Sequence, residues 1–358
     1  MKSKNKKILI VGQGISGTML SWFLEKAGVD HIVIDDETKN TPSKTAAGLI
    51  NPVTGRRVVT VWLDEQILPF AEKTYNEMGS FLDIPAISKT SIIDFFPNPF
   101  MKESFLKKLS QQAPYISLVD SNNYLFEYFN YEFGTGMISP SYIVHLQKLL
   151  PAWKNYLLSK GRLMNTGFNF SKLEVNNDGI IYDGTAADMI LFCDGAHGYT
   201  NPYFSLLPFA LNKGEAIIIE APDLPSDLIY KKSLTLIPFG EQGTFWAGSN
   251  YIWDFDDDKP TEEFRRSAEQ TLKSWLKVPF KIVDHKAAVR PATVERRPFV
   301  GFHPVYKNVG ILNGMGTKGS SLAPYFASQL AAHILYQAPI EKDADISRHS
   351  RILERTSL

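Results

Sequence analysis

The chain has 358 residues, with 38 Lys and Arg against 38 Asp and Glu, and is 44% hydrophobic and 21% charged; this excludes wholesale disorder and provides for about two domains. Zero net charge argues against a general nucleic-acid binder, which needs a basic surplus. The single cysteine, Cys193, cannot close an intrachain disulfide or build a cysteine zinc site, which fits a reducing, cytoplasmic setting.

Lys2, Lys4, Lys6 and Lys7 precede an apolar run at 8–11. That run breaks at once into glycines, too soon for a signal-peptide core. No stretch of about 18 apolar residues occurs, so no membrane span is expected. The run predicts a parallel strand buried on both faces. Gly12-Gln13-Gly14-Ile15-Ser16-Gly17 follows and fits G-x-G-x-x-G. Met19, Leu20, Phe23, Leu24 and Ala27 then recur at helical spacing, and Gly28 stands where a helix ends. Residues 31–34 predict a second strand that runs into Asp35-Asp36. In such a unit Gly12 permits the tight turn. Gly14 lets the backbone approach a pyrophosphate, and Gly17 lets helix and strand pack closely. The helix start at Ile15 and Ser16 offers free N–H groups to the phosphates. Asp35, with Asp36 an equally placed competitor, accepts from ribose hydroxyls.

The stretch 65–134 is aromatic-rich without a clear period. Ser139-Pro140-Ser141 predicts a helix cap, and Tyr142, Val144, Leu146, Leu149 and Leu150 a helix that restarts after Pro151 with Trp153, Tyr156 and Leu157. Strands are expected at 168–175, 180–182 and 189–193, the last ending in Asp194-Gly195-Ala196. Residues 206–284 predict antiparallel strands at 215–220, 233–237 and 244–249, then an amphipathic helix at 261–276. A strand at 309–312, a glycine loop and a helix at 321–336 close the pattern. That loop, Gly314-Met315-Gly316-Thr317-Lys318-Gly319, repeats G-x-G-x-x-G, but only one helix and a polar tail follow it. It cannot complete a second dinucleotide fold. Its N–H groups and Lys318 still make a site for negative charge, such as the O2/N1 edge of a flavin. One dinucleotide fold beside a large β-rich region suggests a cofactor carried within the protein, for which FAD suits.

Further segments stand in order along the chain: Ser43-Lys44-Thr45-Ala46-Ala47-Gly48-Leu49, Gly136-Met137-Ile138-Ser139-Pro140, Cys193-Asp194-Gly195, Lys213-Gly214-Glu215, Ile237-Pro238, Trp246-Ala247-Gly248-Ser249-Asn250-Tyr251, Val289-Arg290-Pro291 and Gly316-Thr317-Lys318-Gly319-Ser320. With the glycine loops they resemble the D-amino-acid-oxidase-like (DAO) family of FAD-dependent oxidoreductases, which includes glycine oxidase and the oxidase half of the bifunctional tRNA 5-methylaminomethyl-2-thiouridine biosynthesis protein. The resemblance implies an α/β protein whose Rossmann-like FAD-binding domain, with a parallel sheet, is interleaved with a mostly antiparallel α+β substrate domain. The expected division is 1–68, 135–205 and 285–358 for FAD, and 69–134 and 206–284 for substrate. By the same resemblance the 43–49 segment follows the FAD pyrophosphate and flavin. Phe170 contacts the adenine from a strand, Cys193-Asp194-Gly195 matches the family's A-x-G, and residues 314–320 form the flavin loop. Cys193 falls at a strand end rather than where sarcosine oxidases tether flavin, so FAD is expected to be non-covalent.

The activity so implied is hydride transfer to flavin N5 from a carbon bearing an amine, with O2 or another acceptor reoxidising the flavin. Arg290 forks the substrate carboxylate; a structural ion pair is the alternative, with Arg296 and Arg297 as nearby competitors. Lys318 polarises the flavin or touches the carboxylate, or is a solvated loop lysine. Tyr251 lines the cavity, or is a core aromatic. Thr235 stands where glycine oxidase has a carboxylate-contacting tyrosine, which argues against simple glycine. Arg56-Arg57 reads as an ordinary charged loop, and the seven histidines lack metal-ligand spacing. The expected substrate is a small anionic amine. The alternatives are a carboxymethylaminomethyl-modified tRNA base, with tRNA a disfavoured partner, a 2-hydroxy acid on the same fold, a nicotinamide-dependent dehydrogenase, and a non-catalytic FAD binder.

Overall fold

A computed structural model describes residues 6–36, 40–119 and 124–356. One sheet has six strands in the order Phe299–Phe302, Val309–Asn313, Met189–Phe192, Lys7–Val11, Asp30–Asp35, Leu163–Asn165. All its neighbours pair parallel except the Phe299–Phe302 edge. Parallel strands are covered on both faces, which is why Ile8, Leu9 and Ile10 show no alternation and are all fully buried. Helices Ile15–Lys26, Asp64–Leu82, Leu146–Ser159 and Gly319–Tyr336 share one core on one face, around Met19, Trp22, Tyr75, Trp153 and Phe326. The other face packs on Ile180, Tyr182, Phe204 and Phe209.

The second sheet has nine strands. Its main path runs Lys281–Arg290, Asn212–Glu220, Thr244–Gly248, Thr235–Pro238, Ile229–Lys231, Ile87–Phe95, Thr135–Val144, Leu49–Ile50. Its pairs are antiparallel apart from Ile229–Lys231 against Ile87–Phe95. Alternation sorts the side chains. Ile217, Ile219, Leu236, Phe245 and Ala247 point to the outer face and pack on Phe264, Ala268, Leu272 and Trp275 of helix Glu262–Trp275. Thr261 caps that helix, its Oγ1 accepting from the Phe264 N–H at 3.3 Å. Ile92, Ile138, Ile229 and Ile237 point inward, onto Ala47 and Val53. The inner face is thereby pressed against the segment that leaves the first sheet.

Several local expectations change. Residues 139–141 cap no helix; they lie inside strand Thr135–Val144, which runs in the nine-stranded sheet although 135–205 was expected with the first unit. The register slips there, so that Ser139 and Pro140 oppose Ser91 alone. A bulge needs no ladder N–H, and that is what lets proline sit in a strand. Pro151 does not break its helix, which is continuous over Leu146–Ser159. The featureless stretch holds helix Asp64–Leu82, whose buried Ile67, Leu68, Ala71, Tyr75 and Met78 recur at helical spacing although Pro69 interrupts the pattern. Strand Leu163–Asn165 was not anticipated. Among the described residues no helix is long and apolar enough to cross a membrane.

Leu272 is fully buried between the outer helix and the sheet. Leu272→Ala should lower the unfolding free energy in urea by about 2–5 kcal/mol. A change under about 1 kcal/mol would mean that this helix does not seal the sheet.

Candidate active site

Strand Lys7–Val11 delivers the chain into Gly12 at φ +97°, where a Cβ would stand 2.6 Å from the Cys193 carbonyl oxygen. A Cβ on Gly17 would stand 1.8 Å from the Gly12 carbonyl oxygen, so the helix lies directly on the loop. Helix Ile15–Lys26 starts from Gly14 with no side-chain cap and no acid in its first turn. The Ile15 N–H donates to Ser43 Oγ at 3.0 Å, which brings the short helix Pro42–Thr45 onto the helix start. Asp35 ends its strand, and its Oδ1 accepts the Gln13 N–H at 2.8 Å. Burial raises the Asp35 pKa, while the Gln13 N–H and the Lys44 charge oppose the rise. Asp36 stands one residue beyond the strand, its carboxylate facing Gly167.

The 43–49 segment is a seam between the two sheets. The Thr45 carbonyl accepts from Trp246 Nε1 at 3.0 Å, and the Ala46 carbonyl from Gln147 Nε2 at 3.0 Å. The Gly48 carbonyl accepts the Val144 N–H, and Leu49 pairs with Ile143. Ala47 is buried.

Cys193 follows strand Met189–Phe192 and donates its N–H to the Val11 carbonyl. It is buried, and burial pushes its thiol well above the usual range. Asp194 is next. Its Oδ1 accepts Asn313 Nδ2 and its Oδ2 accepts Asn201 Nδ2, both at 2.9 Å. Asn313 also donates to the Gly195 carbonyl and accepts the Gly314 N–H, tying together the loops beyond two adjacent strands. Burial pushes Asp194 up to about 6, although the two amides favour its charged form. Asn201 and Asn313 carry no motif, and Asn313 meets its partner Asp194 from over a hundred residues away. Phe170 lies in the 3-10 turn Phe170–Lys172, not in a strand, with its ring stacked on Phe192. The turn forms because Asn169 Oδ1 accepts the Ser171 N–H.

In the C-terminal loop the Gly316 N–H donates to the Pro291 carbonyl at 3.1 Å. Thr317 is exposed and Lys318 precedes helix Gly319–Tyr336. A Cβ on Gly319 would stand 3.1 Å from Ile15 Cγ2, so two helix starts lie side by side. Ser320 is buried and its carbonyl accepts the Tyr75 hydroxyl. Lys318 is partly buried, and burial together with Arg297 and Arg296 lowers its pKa. Arg297 stacks on Trp62 at 4.1 Å, and Arg296, Arg56 and Arg57 are exposed.

Arg290 ends strand Lys281–Arg290, half-buried. Its Nη1 donates to Asn212 Oδ1 at 2.7 Å and to the Asn250 carbonyl at 3.1 Å. Its Nη2 donates to Ser249 Oγ at 2.9 Å, and its guanidinium lies 4.9 Å from the Tyr251 ring centroid. These partners are all neutral. Among the described residues no carboxylate pairs with Arg290, in contrast to the ion-pair alternative. Tyr251 is 58% exposed and is no core aromatic. Thr235 lies in register with Gly248 on the same sheet.

The residues present fit FAD. Uncapped first-turn N–H groups suit a pyrophosphate, Asp35 suits a ribose, and a Cβ on Gly195 would meet no atom within 4 Å. Gly17→Ala should give colourless protein with FAD affinity reduced at least about tenfold, since the clash is backbone on backbone; a yellow variant would refute the close approach. Asp194 supplies a pH test. Its raised pKa means that the folded protein keeps a proton the unfolded chain releases, so its contribution to stability falls as pH rises from 3.8 to about 6. Asp194→Asn removes that loss. The melting temperature of the variant minus that of the wild type should therefore climb across this window and then level. A flat difference would mean an ordinary carboxyl.

Comparison with known proteins agrees with this geometry. The DAO family model, described as FAD dependent oxidoreductase, matches residues 7–333. FAD-dependent monooxygenase ausM of Penicillium brasilianum is 24% identical over 210 residues, 55% of this chain; the chain spans about a third of that protein's length, the match covering 34% of it. Among solved structures, glycine oxidase from Geobacillus kaustophilus superposes with a TM-score of 0.80 at 15% identity, over 96% of this chain and 100% of that one. Iminodiacetate oxidase from Chelativorans sp. BNC1 gives 0.75 at 18%, over 93% and 96%. L-Proline dehydrogenase from P. horikoshii gives 0.73 at 15%, over 97% and 98%. At these identities the superpositions speak for the fold, an α/β fold with one parallel and one mostly antiparallel sheet. With most of its length matched and the dinucleotide loop, acid and helix start in place, the chain belongs to the DAO family and is an FAD-dependent oxidoreductase.

Proposed function

We propose that the protein oxidises the C–N bond of a small amine that carries a carboxylate, an amino acid or an N-substituted glycine, with FAD bound non-covalently and O2 as reoxidant. The observation that carries the reading is Arg290, a half-buried cation whose partners are all neutral. A guanidinium held this way has its fork fixed and its charge uncompensated, which suits bidentate capture of a carboxylate. The three structural relatives are named for glycine, iminodiacetate and L-proline, each a carboxylated amine. FAD, when bound, supplies the hydride acceptor. The chain's part is to hold the substrate. Arg290 takes the carboxylate and Tyr251 walls the entrance. Lys318, with the adjoining helix starts, sets a positive field along the C-terminal loop. Residues 12–17, Asp35, 43–49, 193–195 and 314–320 hold the cofactor.

The tRNA-base reading is disfavoured. Beside Tyr251 run the exposed carboxylates of Asp254, Asp256, Asp257 and Asp258, which repel a phosphate backbone.

An absorbance spectrum followed by anaerobic titration tests the proposal. N-methylglycine, iminodiacetate, D-amino acids and L-proline are the positive panel, and bleaching by 2-hydroxy acids alone would overturn the amine reading. Arg290→Met should raise KM for the active carboxylated amine about tenfold to a hundredfold. An unchanged KM would remove Arg290 from substrate binding.

A further inference from the structure

We propose that Trp253 is a specificity-determining residue, its indole the receiving surface for an aromatic side chain or N-substituent on the carboxylated amine that Arg290 holds. The inference rests on the reading of Arg290 as the carboxylate receiver, and it narrows the substrate class.

One backbone bridge places the residue. Lys213 and Ile252 pair antiparallel, each N–H donating to the other's carbonyl at 2.9 Å. Side chains alternate about such a pair, so Tyr251 and Trp253 point to the face opposite Lys213 and Ile252. Lys213 shares its face with Glu215 and Ile217, which meet Thr261 and helix Glu262–Trp275. There its Nζ donates to the Lys259 carbonyl at 3.0 Å. Tyr251 and Trp253 therefore lie on the inner face, with Arg290. A Cβ on Gly214 would stand 1.7 Å from Arg290 Nη2, so the guanidinium rests on the Gly214 backbone. One step along the bridge sets Tyr251 opposite Gly214, which accounts for its 4.9 Å contact with the guanidinium. One step the other way sets Trp253 opposite Asn212, the 2.7 Å acceptor of Nη1. Tyr251 and Trp253 are two residues apart, about 7 Å along an extended chain. A substrate held at the fork reaches the indole with one ring-sized group.

Trp253 is 62% exposed, and of the six tryptophans it alone is exposed. Among the described residues no ring or polar partner meets its indole. Phe81, Phe126 and Phe170 are also exposed, but each lies against another ring. A lone exposed apolar side chain is ordinary. Here two exposed aromatics stand on one face, and the first already touches a cation without an anionic partner. The patch is thus continuous with the carboxylate fork. An indole packs a second ring edge-on or offset, with a gain beyond the area it covers. The rival occupant is a cationic group, drawn by the ring and by exposed Asp254 and Asp256. The neighbouring Arg290 charge opposes it.

The test uses the holoenzyme and, first, two carboxylates without an amine, phenylacetate and acetate, with Kd read from the change in the flavin spectrum. Phenylacetate should bind at least about tenfold more tightly. Trp253→Ala should cut that preference to about twofold, and Trp253→Phe should keep most of it. The side chain is exposed, so Trp253→Ala should hold its melting temperature within about 2 °C. The second readout is the rate constant for anaerobic flavin reduction by N-benzylglycine relative to N-methylglycine. That ratio should fall about tenfold in Trp253→Ala. A preference that survives Trp253→Ala in either readout would overturn the proposal. So would tighter binding of trimethylammonioacetate, the cationic counterpart of phenylacetate, which would give the indole to a cation. A dimer that dissociates in Trp253→Ala, with the preference intact, would give the patch to a second copy of the chain and overturn it as well. Arg290→Met should weaken phenylacetate and acetate together. Unchanged affinity for both would instead overturn the carboxylate reading.

Discussion

Backbone N–H groups without helical partners are the constraint around which this site is built. Every helix begins with such donors, and a buried start must find acceptors for them. Here two starts meet, at Ile15 and at Gly319, close enough that a Cβ on Gly319 would stand 3.1 Å from Ile15 Cγ2. Ser43 takes the Ile15 N–H, neither Gly14 nor Lys318 at the N-cap supplies a side-chain acceptor, and neither first turn holds an acid. Positive potential therefore gathers where the parallel strands end. A diphosphate-bearing cofactor answers that field, and the close packing of Gly17 on Gly12 brings the helix near enough to matter.

The second sheet is placed by the same seam. Residues 43–49 leave the helix start, accept the Trp246 indole N–H at Thr45, and join the nine-stranded sheet at Leu49. Strand alternation then divides that sheet's work. Its outer face spends apolar side chains on helix Glu262–Trp275, while its inner face meets the seam and carries Trp246 and the charged end at Arg290. Adjacent side chains on one strand thus serve stability and binding without competing for space.

Much of this was legible in the sequence, and the pattern of what was not has a physical cause. The 8–17 strand and loop declare themselves because backbone strain and burial leave local marks, glycines and an unbroken apolar run. Asp35 was legible as the acid that ends its strand, where its Oδ1 accepts the Gln13 N–H. Helix Asp64–Leu82 was not, although Ile67, Leu68, Ala71, Tyr75 and Met78 recur at helical spacing, because Pro69 reads as a break inside it. Strand Thr135–Val144 was masked by Ser139-Pro140, since a bulge imitates a helix start in sequence. Phe170 was expected in a strand because the local Asn169 turn is invisible to periodicity. Arg290 could be named from its motif, but not its neutral acceptors, which come from strands and turns 40 to 78 residues away. Long-range polar pairing leaves no period.

The balanced charge also acquires a meaning. Thirty-eight cations and 38 anions average to nothing, yet they are not mixed evenly at this site. Arg290 and Lys318 sit inside with their charges partly desolvated, and Asp254 to Asp258 stand exposed just beyond Tyr251. On the proposed reading this acidic rim on one side of the site, with Asp257 near Lys213 and Lys259, disfavours a polyanion. An amino acid approaches differently. As a zwitterion it carries no net charge, its ammonium is favoured at the rim, and its carboxylate gains only once it reaches the guanidinium. On the proposed reading, the rim and the fork thus select together for a substrate that holds both charges a few bonds apart.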